Sequence, residues 1–432
     1  MSTNVKKTDK GLTRREFLKE AGAAGLALGA AATFLDVKPA AAEMRNRIVI
    51  GHPNPSTGML SDLGAVSPWA DERAVAAVNR KGGIFIKELG KSLPVQVKLV
   101  DTQSDPDRAA KVATDLILKD KIDIMVVLHT PVTVNPVSKV CDKFHVPCVS
   151  MVVPLESWLS GGPYEWCYHA FWSVDSLSDL FIGMWDEYAD KTTKVFGGLW
   201  PDDPDGKAWA ESFTKKLVSK GYKVVDPGRF SYWTPDYSDM ISHFKKEKVD
   251  IMGGVPIPPD WANFWRQARQ DGLLPKMVSV SKAILCPGAL NALPGNLPAG
   301  LTTELWWSPN HPFRSSITGE TSMELSEAWA KETKNQWTMP LGYAYAGIEI
   351  ALDALKRAQS LDKNKIRDAL AQTDLTTLVG PIKFRKDHCC ETPLVAGQWE
   401  PGQRWPWDLG ICYNKQHPEI KTTSKLMFPI PA

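Results

Sequence analysis

The chain has 432 residues, 43% hydrophobic and 23% charged, an ordinary globular composition with room for two domains. Its formal net charge of +2 leaves no basic footprint of the kind that nucleic acid selects. Beyond residue 42 no apolar run is long enough to span a bilayer.

The first 42 residues read as an export signal. Thr13-Arg14-Arg15-Glu16-Phe17-Leu18-Lys19 precedes an Ala/Gly/Leu stretch, and Pro39-Ala40-Ala41-Ala42 offers small residues to a signal peptidase. The paired arginines and mild hydrophobicity are those of a twin-arginine signal. The expectation is export to the periplasm, with removal of residues 1–42. An oxidising compartment permits disulfides. Cys141 and Cys148 flank a helix-to-strand turn and are the expected pair, with Cys389 or Cys390 and Cys412 as a second. No metal site is expected, because the adjacent Cys389 and Cys390 fit no common zinc spacing.

The mature chain opens with a strand at residues 47–51, a turn-forming loop through Ser56 and Thr57, and a helix that Gly82-Gly83 stops. Alternating residues 94–100 form a strand, followed by a helix over 107–119. Apolar residues 122–128 are a strand, 129–136 its loop and 137–144 a helix; 146–153 is a fourth strand. A second set of units follows. Its helices are expected over 176–189, 207–220, within 235–246 and over 261–271, and its strands at 194–199, 223–225, 249–252 and 277–280. Pro256 to Pro259 is a Pro-rich loop. Strand and helix alternating in this way predict an α/β fold with parallel sheets covered on both faces. Ligands of such sheets bind at the carboxyl ends of the strands. The last part holds helices over 321–333, 342–358 and 363–371, a strand at 379–384, and a Pro- and Trp-rich tail.

Tryptophan is over-used, with 17 in the chain, and most are expected to anchor elements to one another. Trp158, Trp172 and Trp200 fall at or beyond strand ends, where a flat apolar ligand would meet them. Asp202, Asp203 and Asp205 form an acidic turn before Gly206. No G-x-S-x-G, Walker A or H-E-x-x-H motif is present, and catalysis is not expected.

The order of elements resembles the type I periplasmic substrate-binding proteins of ABC importers, of the leucine/isoleucine/valine-binding kind. The resemblance rests on Pro55-Ser56-Thr57-Gly58, residues 101–106 (D-T-Q-S-D-P), 221–225 (G-Y-K-V-V), 264–272 (F-W-R-Q-A-R-Q-D-G) and 377–384 (T-L-V-G-P-I-K-F). It implies two doubly wound lobes joined by three hinge crossings, closing on ligand as a clamshell. The crossings fall near 171–174, 301–305 and 379–382. Lobe one is then 43–170 plus 306–379, and lobe two 171–305 plus 380–432.

Carried over by loop, the resemblance places Ser56, Thr57, Thr130, Thr133 and Val153 at the ligand from lobe one. From lobe two it places Asp205, Pro256 and Lys282. Ser281-Lys282-Ala283 stands where such proteins hold an α-amine with an acid. The implied role is a monomeric solute receptor without cofactor, serving ABC permease subunits. The implied ligand is a small amino acid or an apolar or aromatic carboxylate, with Lys282 as the cation that meets an acid. A sensor subunit with the same clamshell is the alternative, and a hydrolase the more distant one.

Overall fold

The computed structural model describes residues 45–431, and the expected export signal, with Arg14, Arg15 and residues 40–42, lies outside them. The first sheet has six strands, all parallel, in the order Cys389–Glu391, Cys167–Phe171, Cys148–Met151, Ile124–Leu128, Ile48–Asn54 and Val95–Asp101. The strand Ile124–Leu128 shows why it is covered on both sides. Ile124, Val126 and Leu128 join one core, while Met125 and Val127 join another. Alternate side chains point to opposite faces, so an all-apolar strand needs a helical layer on each. Helix Pro340–Ala358 covers the first face and is buried along most of its length. Helices Pro106–Leu118 and Thr130–Lys143 cover the second.

The second sheet has eight strands. Val195–Pro201, Ile251–Gly254, Met277–Val280 and Thr302–Leu305 run parallel, with Lys223–Val225 and Arg229–Phe230 both pairing the outer side of Val195–Pro201. Val395–Pro401 and Trp407–Tyr413 complete it as an antiparallel hairpin. Gly254 is required by close approach: a Cβ there would lie 2.2 Å from the Leu199 carbonyl oxygen.

The chain passes between the sheets three times. The first passage follows Phe171, where Ser173 caps helix Val174–Asp186. The second follows Leu305, and Trp307 then lies against Gly342 of the long helix, where a Cβ would stand 2.4 Å from its ring. The third lies between Glu391 and Val395, later than the expected position near 379–382. Residues 380–383 instead form a small hairpin with Asp374–Thr377, and Cys389–Glu391 then returns to the first sheet beside Cys167–Phe171.

Two further expectations are corrected. The segment 129–136 is not a loop, because helix Thr130–Lys143 starts at Thr130. Pro131 fits its first turn, where a missing N–H costs nothing, and Pro136 is carried inside the helix. Cys141 lies buried in the last turn of that helix and Cys148 opens the following strand, so the two flank the helix-to-strand turn as expected. The expected Cys141–Cys148 disulfide is absent, and all seven cysteines are free. Cys148 lies opposite Cys167 on the next strand, and Cys141 joins them in one apolar layer. Cys389 and Cys412 stand in different sheets, which removes the second pairing.

Candidate ligand-binding cleft

The loops after Leu128, Met151 and Phe171 in the first sheet face those after Pro201, Gly254 and Val280 in the second. Between them lies a cleft of about 500 Å³ that continues into a recess of about 70 Å³. Leu63, Thr130, Pro131, Asp205, Lys282 and Leu285 line both spaces, which makes them continuous. Every one of these loops leaves the carboxyl end of a strand, the ligand-binding edge of open α/β sheets.

Backbone strain is concentrated at this edge. His129 (φ 74°), Thr130 (φ 66°), Val152 (φ 63°) and Lys282 (φ 65°) all adopt left-handed conformations. For β-branched Val152 and Thr130 this is costly, of order 1–3 kcal/mol each. Hydrogen bonds hold the arrangement: the Thr130 N–H donates to the Val152 carbonyl at 3.0 Å, tying two of the strained loops together.

The recess is walled by aromatic side chains. Phe171 lies 4.8 Å from Trp172 and 5.3 Å from Trp306 between ring centroids, and Trp172 meets Trp209 edge-on at 6.5 Å. Trp172 Nε1, Trp306 Nε1 and Thr130 Oγ1 are buried without a hydrogen-bond partner. A buried polar group left unpaired costs about 1–3 kcal/mol, so an acceptor supplied by a ligand is favoured here.

Charge in the cleft differs from the expectation. Lys282 Nζ lies 3.2 Å from Asp205 Oδ2 and 3.8 Å from Asp203 Oδ2, and Asp203 also accepts from the Tyr232 hydroxyl. The lysine is therefore not a free cation awaiting an acid. Among the lining residues Asp62, Asp203, Asp205 and Glu304 oppose Lys282 alone. Glu304 comes from the last residues of strand Thr302–Leu305 and is almost wholly buried. Its Oε1 accepts from the Ser281 hydroxyl at 2.6 Å and the Lys282 N–H at 3.4 Å, and its Oε2 from the Thr303 hydroxyl at 3.0 Å. Burial pushes its carboxyl up to about 7 against these bonds.

Of the residues expected at the ligand, Thr130, Trp172, Asp205 and Lys282 line the cleft. Val153 and Pro256 sit one residue from lining positions without lining the cleft themselves, and Val152, Pro154, Val255 and Ile257 line it instead. Ser56 and Thr57 are occupied elsewhere: their N–H groups and the Thr57 hydroxyl donate to Asp101. Met59, Leu60, Asp62 and Leu63, further along that loop, reach the cleft in their place. Thr133 is buried one turn into its helix. Trp158 stacks on His169 at 4.9 Å in the core of the first sheet, and Trp200 packs on Phe196 and Phe213 in that of the second. Neither lines the cleft.

Sequence reasoning missed Glu304, Phe171, Trp209 and Leu285. Glu304 lies on the neighbouring strand, two positions past Thr302, which pairs with Ser279, and so comes beside the Ser281-Lys282-Ala283 loop that carries no acid of its own. Two histidines at the first sheet, His52 and His129, are fully buried. His52 Nδ1 lies 2.7 Å from Asp71 Oδ2 with both side chains buried, and burial raises the Asp71 carboxyl while pushing His129 down to about 3.

A family model described as periplasmic binding protein matches residues 47–404. The chain belongs to the periplasmic binding protein family. A Pseudomonas aeruginosa protein that binds leucine, isoleucine, valine, threonine and alanine is 20% identical over 339 residues, 78% of this chain and 85% of its own length. A leucine binding protein from Thermotoga maritima superposes with TM-score 0.71 at 18% identity, covering 85% of this chain and 99% of that one. A solute binding protein of an ABC transporter from Rhodopseudomonas palustris BisB5, in complex with 3,4-dihydroxybenzoic acid, gives 0.67 at 20% identity, with 84% and 96% covered. These likenesses establish the type I periplasmic binding protein fold, the one expected from the sequence.

Proposed function

We propose that this protein is the solute-binding component of an ABC importer, exported by the twin-arginine route and holding a small, mainly apolar organic molecule between its lobes. The carrying observation is the cleft itself, lined from the first sheet by Thr130 and Trp172 and from the second by Asp205, Lys282 and Glu304. In this reading lobe one is residues 46–171 with 307–391, and lobe two is 174–305 with 395–431. The segments at 172–173, 306 and 392–394 are the hinges. Ligand contacts from both lobes favour the closed form and thereby mark the loaded receptor for a permease. The relatives named above bind amino acids and an aromatic acid, and a mainly apolar cleft with a few polar groups suits that range of ligand shapes. The role needs stoichiometric retention and no turnover.

Native mass spectrometry of protein purified from its own host tests this reading. One unmodified small molecule per chain is the expected result, with its loss in Thr130→Ala or Trp172→Ala. Ligand released in chemically altered form identifies an enzyme and ends the receptor reading.

A further inference from the structure

The aromatic recess behind Lys282 raises the question of which group of the ligand it receives. Its walls are the rings of Phe171, Trp172, Trp209 and Trp306, and its one deep carboxylate is Glu304. Carboxylates outnumber Lys282 around the cleft, and Lys282 is already paired with Asp205. An anionic group would enter against this field, and a cationic one with it. Ring faces attract cations as well, most strongly when water is excluded.

A primary ammonium fits poorly. It brings three N–H donors that need acceptors once dehydrated. Glu304 already accepts from Ser281, Thr303 and the Lys282 N–H, and the ring faces offer no strong acceptor. A methylated ammonium brings charge without those donors. The three unpaired groups, Trp172 Nε1, Trp306 Nε1 and Thr130 Oγ1, call for an oxygen acceptor on the same ligand.

We propose that the recess binds the methylated ammonium group of a small cationic or zwitterionic solute, with Glu304 as counter-charge and the four aromatic rings as its walls. This deepens the receptor reading and rests on it. Binding places the N-methyl groups against the rings and an oxygen of the ligand within reach of the indole N–H groups.

Calorimetry at pH 8 with choline, ethanolamine and 3,3-dimethylbutan-1-ol tests it on protein freed of ligand by unfolding and refolding. Ethanolamine keeps the charge but restores the N–H donors. The alcohol keeps the shape of choline and lacks the charge. Choline is expected to bind at least about tenfold tighter than either. Glu304→Gln is expected to remove the preference for choline over the alcohol. Should that variant fail to fold, Trp209→Leu serves in its place and is expected to weaken choline more than ethanolamine. Ethanolamine or the alcohol binding as well as choline, or no binding of choline at all, overturns the assignment. Neither outcome touches the receptor reading, which stands or falls on the co-purified molecule.

Discussion

Replacing Glu304 by Gln should make the ligand-free protein more stable at pH 8. The carboxyl is buried against aromatic rings, and titrates near 7 in the fold against an ordinary value of 4.5. Between those values the folded chain keeps a proton that the unfolded chain has lost. Stability therefore falls as pH rises, by about 1.4 kcal/mol per unit, or about 3 kcal/mol across the interval. Below 4.5 both states are protonated and the penalty vanishes. The groups facing Glu304 are the hydroxyls of Ser281 and Thr303 and the backbone N–H of Lys282. A glutamine fills the same space, accepts from the Ser281 hydroxyl and never ionises. Urea denaturation of both proteins at pH 4.5, 6 and 8 should show the variant gaining on the parent by about 3 kcal/mol over that range. Glu349, which burial also pushes up to about 7, titrates in both proteins and cancels from the difference. Parallel stability curves for the two proteins would refute the reasoning.

The remaining predictions concern other parts of the chain. Burial holds His129 and His311 down to about 3 and His169 to about 4, against an ordinary 6.5. The unfolded chain binds these protons first, so their contribution is intact above pH 6.5 and is lost as pH falls toward 4. Each costs about 1.4 kcal/mol per pH unit in that window, and below 4.5, where Glu304 and Glu349 no longer offset the loss, acid denaturation should be steep. Gly254→Ala forces a Cβ against the Leu199 carbonyl and should destabilise by roughly 1–3 kcal/mol or more in a urea melt. Cys141, Cys148 and Cys167 should resist alkylation in the native protein and react in urea without reductant; a pair that stays unreactive in urea is a disulfide. Changing Arg14 and Arg15 to Lys should leave precursor in the cytoplasm, and periplasmic accumulation of that variant would end the twin-arginine assignment.

The alternation of strand and helix, and therefore the parallel sheets and their ligand-binding edge, is written in local patterns that a sequence shows directly. Residues 124–128 are apolar throughout because the sheet is buried on both faces. Other features depended on exact position or on partners far along the chain. The helix at Thr130 is masked by two prolines whose effect depends on position, harmless in a first turn and disruptive in most interiors. The last return to the first sheet rests on three residues, Cys389–Glu391, too few for a periodic signal. Lys282 and Asp205 each look like a ligand contact when read alone. Separated by 77 residues, they turn out to be each other's partner, so the lysine is no longer a free cation for an acid. Glu304 was hidden for the opposite reason: a glutamate in an extended stretch reads as solvent-facing, and only strand pairing places it beside Ser281.

The central claim is that one small molecule is held between the two lobes at the carboxyl ends of both sheets. A crystal structure of the protein purified with its natural ligand tests that most directly. Density is expected in contact with Thr130 and Trp172 on one side and with Ser281 or Glu304 on the other. A ligand seated outside this cleft, or contacting residues of one lobe only, would contradict it.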